Sequence, residues 1–406
     1  VTEAIVIVGL GFGDEGKGSI VDFLCRTRRV HTVVRHNGGA QAAHNVVTAG
    51  GVHHEFHQFG SGMLVPEVST HLSRFMLVDP LAMMREEEAL RKIGVLDAFP
   101  RTTIDPDAVI VTPFHRAANR LKEMSRGEGR HGSCGRGIGE ARADQLAGHV
   151  VTAKMLSDPK LKWRLREVQR RKLEEITTSR IVVDDEEMKA LEDPEWCAVT
   201  ANLYKVFSDR VQLARPRFAG TVLFEGAQGV LIDETHGFAP YNTWTNTTAE
   251  NALTLLREQS FTGRVVKLGV TRTYLVRHGP GPFPTEDKDL NLPDGHNAYN
   301  DWQRDVRVGW PDRVMLDHAI YATGGVDAIA LTHMDRWVGL SHWQICVGYQ
   351  DPDLVMDSTD SLMTAVPCYD EHKHAGQIIT EMETYAPVKI TSFGPTADSK
   401  CYRSKW

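Results

Sequence analysis

The chain lacks most features that would mark a membrane, secreted or nucleic-acid-binding protein. No apolar stretch in its 406 residues is long enough to span a bilayer, and no basic segment near the start leads into a cleavable signal, so a cytoplasmic protein without membrane partners is expected. Only six cysteines occur, Cys25, Cys134, Cys197, Cys346, Cys368 and Cys401, and none forms a C-x-x-C pair. That disfavours a structural zinc site or a disulfide framework and fits a reducing compartment. Lysine and arginine (46) are outnumbered by aspartate and glutamate (53), so there is no basic footprint of a nucleic-acid binder. Repeats, low-complexity tracts and Pro/Gly/Ser-rich linkers are absent, which predicts one domain over residues 1–406 in place of two independent units. The marked charge run, basic over 160–172 and acidic over 184–187, reads as part of a helical surface insertion at about 155–200 with solvated charges.

Against those absences stand short apolar runs at 4–8, 32–34, 75–78, 109–112, 221–224, 264–270 and 328–332, separated by helical or loop-like sequence. The alternation predicts an α/β fold, a large, mostly parallel central sheet flanked by helices. The first run leads into Gly-Leu-Gly-Phe-Gly-Asp-Glu-Gly-Lys-Gly (9–18), in which Gly11, Gly16 and Lys17 fit the G-x-x-x-x-G-K spacing of a phosphate loop. Gly18 stands where that loop needs a Ser or Thr hydroxyl for magnesium. Glycines serve any tight turn from strand to helix, so the spacing alone does not decide the matter. Asp14 and Glu15 add information: a carboxylate beside bound phosphate is costly unless it binds magnesium or moves a proton.

Further motifs follow in order: Arg-His-Asn-Gly-Gly-Ala-Gln-Ala-Ala-His-Asn (35–45), Gly-Ser-Cys-Gly-Arg-Gly-Ile-Gly (132–139), Phe-Glu-Gly-Ala-Gln-Gly (224–229), Asn-Thr-Thr (246–248), Gly-Pro-Phe-Pro-Thr-Glu (281–286), Leu-Thr-His-Met-Asp (331–335) and Ser-Phe-Gly-Pro (392–395). Taken together, these segments resemble adenylosuccinate synthetase, the ligase that joins aspartate to C6 of inosine monophosphate at the expense of a nucleoside triphosphate. The resemblance spans nearly the whole chain and implies that family's phosphate-loop-related fold, Mg2+ as cofactor, a homodimer, and small-molecule partners: a purine monophosphate, L-aspartate, and GTP or ATP.

The resemblance also implies roles for particular residues. Asp14 matches the general base that takes the purine N1 proton so that O6 can attack the γ-phosphate; His44 matches the acid that stabilises charge on O6, and Lys17 holds the phosphates. Gly13, Glu15, Gly16, Lys17, Gly18, His333, Asp335 and Gly394 fall at triphosphate-binding positions, with Asp335 reading the guanine of GTP. Asp14, Gln41, Ser133, Cys134, Gln228, Thr243 and Arg304 fall around the purine monophosphate; Asp301, Trp302, Arg304 and Arg307 around aspartate; and Asp14 with the Ala43 carbonyl around magnesium.

Departures from the family gather around the acceptor and aspartate. Cys134 replaces a phosphate-binding Thr with a weaker donor, and His333 replaces a Lys. An arginine-rich loop becomes Asp-Trp-Gln-Arg-Asp-Val-Arg-Val-Gly-Trp (301–310), keeping Arg304 and Arg307 of four arginines. An arginine that crosses the family's dimer interface aligns with Gly148, and Arg142 or His149 are candidates to compensate. Loss of guanidinium donors beside intact Asp14, Lys17, His44, Gln228 and Asp335 reads as altered substrate choice. The expectation is dGMP as acceptor, as in the family's phage-type branch that makes the precursor of 2-aminoadenine deoxynucleotide, with IMP the close alternative because Asp14 is kept. A non-catalytic nucleotide-binding protein is disfavoured because base, acid and lysine all survive.

Overall fold

The computed structural model describes residues 2–181, 186–290, 292, 302, 306–340, 342–354, 356, 358–372 and 375–404. Its centre is β1 (Glu3–Gly9), whose seven residues are all buried. A strand covered on both faces needs no polar alternation. Ile5 and Ile7 pack on one face with Ile20, Val21 and Leu24 of the helix α1 (Lys17–Thr27). Ala4 and Val6 pack on the other with Ala252, Leu255 and Leu256 of the helix Glu250–Glu258.

Ten strands form the main sheet, in the order Lys400–Tyr402, Val388–Ser392, Ala328–Thr332, Arg264–Arg272, β1, Thr221–Gly229, β2 (Val30–Arg35), Ser69–Leu72, Thr102–Ile104 and Gln212–Leu213. Neighbours are parallel throughout except at the edge, where Lys400–Tyr402 runs antiparallel to Val388–Ser392. The predicted parallel α/β sheet is therefore present. Parallel strands place their C-terminal ends on one side, where loops gather and ligands bind. Between β1 and Thr221–Gly229 the register shifts just before that end, with Ile7 opposite Glu225 but Gly9 opposite Gly229. The extra residues bulge, and Gln228 takes φ 63°.

Two expected strands lie elsewhere. Leu77–Val78 and Val109–Ile110 pair with each other in a separate two-stranded ladder. Each is cut short by the start of a helix: Asp79 caps Pro80–Lys92, Thr112 caps Pro113–Ser125, and both helices begin with proline. The segment read as solvated at 155–200 also differs. Its helix Leu161–Thr178 buries Leu161, Leu165, Val168 and Ile176 in the same apolar cluster as Phe59, Phe99 and Phe207. Lys172 in its basic run is 1% exposed and bonds Asp144 at 2.8 Å and Glu140 at 3.1 Å. Among the described residues no helix is long and apolar enough to cross a membrane.

Candidate active site

The loop after β1 is shaped by backbone that few residues tolerate. Gly13, Asp14 and Gly16 have φ of 118°, 60° and 87°, and α1 begins at Gly16 without a side-chain cap. The amides of its first turn are thus left for a ligand, and Gly16, Lys17, Gly18 and Ser19 line a cavity of about 1760 Å³. Gly18 has a steric reason: a Cβ there would lie 2.7 Å from His44 Cβ and 2.9 Å from Ser61 Oγ. The hydroxyl that ordinary phosphate loops carry would displace His44.

Glu15 sits differently from its expected place among triphosphate contacts. Its carboxylate turns inward, 2% exposed, and accepts Gly11 N–H at 3.0 Å and Gly13 N–H at 2.9 Å while pairing with Lys17 Nζ at 2.5 Å. It braces the loop from beneath and is outside the cavity lining. Thr332, at the end of its strand, adds a second brace by donating Oγ1–H to the Glu15 carbonyl at 2.8 Å.

Asp14 and His44 both face the cavity. Burial raises the Asp14 carboxyl, but the bond and charge of His278, with Arg272 and Lys17 beyond, outweigh it and leave the group below its ordinary value. His278 Nε2 is 2.9 Å from Asp14 Oδ2. His44 Nδ1 lies 2.6 Å from Glu225 Oε1, and Glu225 also accepts Ser61 N–H at 2.9 Å and the Ser61 hydroxyl. Burial opposes the Glu225 charge, yet Arg35, His44 and Ser61 hold the carboxyl down at about 2. It is ionised, so His44 Nδ1 carries the hydrogen and Nε2 is left for the cavity. Burial keeps His44 below the usual histidine value, with Glu225 pulling the other way.

The same cavity is lined by Gly13, Gln41, Ala43, Ser133, Cys134, Gln228, Thr243, His333, Asp335 and Gly394. Gln41 Nε2 donates to Gln228 Oε1 at 3.2 Å, joining two acceptor candidates. Ser133 Oγ accepts from Asn119 Nδ2 at 2.9 Å, and burial pushes the Cys134 thiol up, so it is a neutral, weak donor. His333, at φ 58°, bonds Thr332 Oγ1 through Nδ1 at 2.9 Å. Arg142 and His149 line the cavity too, and Arg142 contacts Gln145 at 2.7 Å and Glu234 at 3.5 Å.

Of the residues expected around aspartate, Arg307 and Trp302 are placed apart from this lining. Arg307 pairs with Glu286 at 2.5 Å and donates to the Gly281 carbonyl at 2.8 Å; Trp302 packs on Gly135 and under the guanidinium of Arg120 at 5.2 Å. Asp301 and Arg304 lie outside the described residues. Sequence reasoning missed Glu225, though it sits in the quoted Glu-Gly-Ala-Gln-Gly motif, and His278, which directly precedes the Gly-Pro-Gly-Pro turn. Lys400 follows the quoted Ser-Phe-Gly-Pro segment, but its contacts there are to backbone carbonyls, which leave no signal in the sequence.

The oxygen donors that line the cavity suit magnesium. Asp14 and the Ala43 carbonyl are hard oxygen donors beside a phosphate loop, and no cluster of three His, Cys, Asp or Glu occurs among the described residues. That fits a cation which takes one or two protein oxygens and completes its shell from substrate phosphate and water.

A parallel sheet with an uncapped helix start, a loop carboxylate and a carboxylate-held histidine facing one cavity is an arrangement suited to an enzyme that handles nucleoside phosphates. Residues 6–392 match the family described as adenylosuccinate synthetase. The adenylosuccinate synthetase of Pseudomonas fluorescens is 34% identical over 388 residues, covering 90% of this chain and 86% of its own, and that of Halothermothrix orenii is 32% identical over 394 residues with the same coverage. The chain belongs to the adenylosuccinate synthetase family of carbon–nitrogen ligases. Its fold is similar to the fully ligated Plasmodium falciparum adenylosuccinate synthetase, with TM-score 0.79, 21% identity and coverage of 98% and 99% of the two chains. It is also similar to the cyanophage S-2L succinoaminodeoxyadenylate synthetase, solved with dGMP and with dATP as energy donor, at TM-score 0.62, 17% identity and coverage of 100% and 96%.

Proposed function

We propose that the chain joins L-aspartate to C6 of a 6-oxopurine nucleoside monophosphate, IMP in the first reading, while splitting a nucleoside triphosphate to diphosphate and phosphate. The observation that carries this is the convergence of Asp14, Lys17, Gln228 and the Glu225-held His44 on one cavity. IMP is supported by the retained Asp14 carboxylate and by relatives that are adenylosuccinate synthetases. The dGMP reading draws on the altered 301–310 loop and Cys134, and on the fold shared with the cyanophage enzyme. GTP is the proposed donor, read by Asp335.

O6 of such a purine is amide-like, and aspartate cannot displace it directly at a useful rate. Asp14 takes the N1 proton, which turns O6 into a nucleophile toward the γ-phosphate. Lys17 and the first-turn amides of α1 hold the phosphates in line, because phosphoryl transfer depends mostly on positioning and charge stabilisation. As negative charge gathers on O6 and the phosphoryl oxygens, His44 takes a proton from water at Nε2, its positive charge supported by Glu225 at Nδ1; the aspartate amine then bonds to C6 and gives up a proton to solvent as the C6–O bond breaks, and the phosphate leaves with its oxygen hydrogen-bonded to His44 Nε2–H. Asp14 and the Ala43 carbonyl would hold a magnesium ion, which when bound would neutralise phosphate charge.

We also propose a cytoplasmic homodimer. Leu146 and Trp244, 66% and 53% exposed at the cavity rim, support a covering partner. The test is phosphate release with product mass spectrometry, supplying aspartate, magnesium, GTP or ATP, and IMP, dIMP, GMP or dGMP. A succinylated product chiefly from IMP supports the first reading, one chiefly from dGMP the second; no product from any overturns both. Asp14→Ala should abolish ligation while some triphosphate binding survives.

A further inference from the structure

Lys400 stands on the edge strand, five residues after the Ser-Phe-Gly-Pro segment, and its side chain folds back onto that segment at the cavity's wall. The residue is 5% exposed. Its Nζ donates to three successive carbonyls, Gly394 at 3.1 Å, Pro395 at 3.3 Å and Thr396 at 2.9 Å. Gly394 and Pro395 line the cavity beside Asp335 and His333. Three carbonyls turned toward one point on the far side of a loop would repel one another without a cation between them. The same loop is joined to the strand that opens with His44, since Thr396 forms a parallel bridge with Val47.

We propose that Lys400 is a positioning residue for the nucleoside triphosphate: its ammonium fixes residues 394–396 so that this wall meets the donor's base. The inference rests on the reading of the Asp335 end of the cavity as the donor-base site. Other loop contacts leave this job undone: Ser392 Oγ reaches the Gly394 carbonyl at 3.1 Å and Ser399 Oγ the Thr396 carbonyl at 2.6 Å, but neither spans all three.

Charge state supports the role. Burial lowers the Lys400 ammonium from its ordinary value to about 8, and Asp22 on α1 and Asp335 oppose the fall. Asp22 is itself paired with Arg26 at 2.9 Å, and Asp335 faces Arg336 at 3.4 Å, so both acids are partly spoken for. Asp398 is the remaining acid of the loop's short 3-10 turn, Ala397–Ser399. Loss of the proton leaves an amine that cannot serve three acceptors as a cation does, so the loop should loosen as pH rises through about 8.

The experiment compares the wild type, Lys400→Met and Lys400→Arg in the full chain. Triphosphate binding is read by calorimetry with a non-hydrolysable GTP analogue, and KM and kcat by phosphate release. We expect Lys400→Met to weaken the analogue and raise KM for GTP by about tenfold, with kcat and the acceptor KM within about twofold, and Lys400→Arg to recover most of the loss. Wild-type affinity for the analogue should fall between pH 7 and 9, and that slope should be absent from Lys400→Met. Equal losses for all substrates, or a pH slope unchanged by Lys400→Met, overturn the proposal. If Lys400→Met fails to fold, the wild-type slope and its retention at higher pH in Lys400→Arg decide the matter. Normal analogue binding without turnover on any purine would sink the proposed reaction and leave the Lys400 result standing.

Discussion

His278 Nε2 donates to Asp14 Oδ2 across 2.9 Å. A guanine edge presents two adjacent donors, N1–H and the 2-amino group, to a carboxylate, whereas hypoxanthine presents one. With Oδ2 already facing a donor, the second guanine contact is disfavoured. Hydrogen bonds to charged groups are worth about 1.5–3 kcal/mol, so His278→Ala should raise kcat/KM for dGMP relative to IMP by about tenfold. Assaying both acceptors with one enzyme preparation checks it; an unchanged ratio would mean that His278 does not bear on the choice.

Glu225 receives three donors, from His44, Ser61 N–H and the Ser61 hydroxyl. In Glu225→Gln an amide must set N–H against at least one of them. The expected outcome is a fall in kcat of about 100-fold with acceptor and donor KM little changed, because His44 loses its orientation and not the substrate its pocket. The carboxyl lies at about 2 in the fold against an ordinary 4.5. Depressed in this way, it contributes stability that is present above about pH 4.5 and is lost as pH falls toward 2. Acid unfolding of Glu225→Gln should therefore be shallower over that interval, as circular dichroism would record.

Cys134 lines the cavity as a neutral thiol. Cys134→Thr supplies a stronger donor of nearly the same size and should lower the acceptor KM by about threefold or more, with kcat held. A rise in KM would indicate that the pocket uses the thiol's bulk and not its hydrogen. In the wild type, maleimide should label the exposed Cys368 and Cys401 before Cys134, and peptide mapping would read the order.

Asp335, in the cavity lining, is the residue expected to read guanine in the donor. Asp335→Asn should reduce the preference for GTP over ATP by about tenfold or more, since a carboxylate accepts both guanine donors and an amide only one. Competition between the two triphosphates measures this directly; equal preference before and after substitution would remove Asp335 from the role.

How much of this was legible in advance depended on where polar residues sit. Five apolar runs, including those at 4–8 and 328–332, are strands of the main sheet because unbroken apolar sequence has few other uses in a layered fold. Ser69–Leu72 and Thr102–Ile104 escaped notice because Thr70, His71 and Thr102 are buried polar residues, held by bonds such as Thr102 Oγ1–H to the Ala98 carbonyl at 2.7 Å and Gly60 N–H to Thr70 Oγ1 at 3.0 Å. Periodicity cannot see a hydrogen bond. The phosphate loop was readable from spacing, but the inward turn of Glu15 follows from Gly11 and Gly13 amides needing an acceptor, which only the folded loop reveals. His278 acts through Asp14, more than 200 residues distant, and Lys400 through backbone carbonyls of the preceding turn, which no residue type in the sequence announces.

The order of strands in the main sheet also bears on synthesis. Val388–Ser392 joins beside Ala328–Thr332, and the wall carrying Gly394 comes only after it. A chain ended before residue 388 would hold Asp14, His44 and Gln228 and yet leave Ala328–Thr332 as a bare apolar edge, ready to pair with a neighbouring chain. Truncated products should therefore aggregate before they show partial activity, and a ribosome must have released residues up to and beyond Gly394 before any molecule of product can be made.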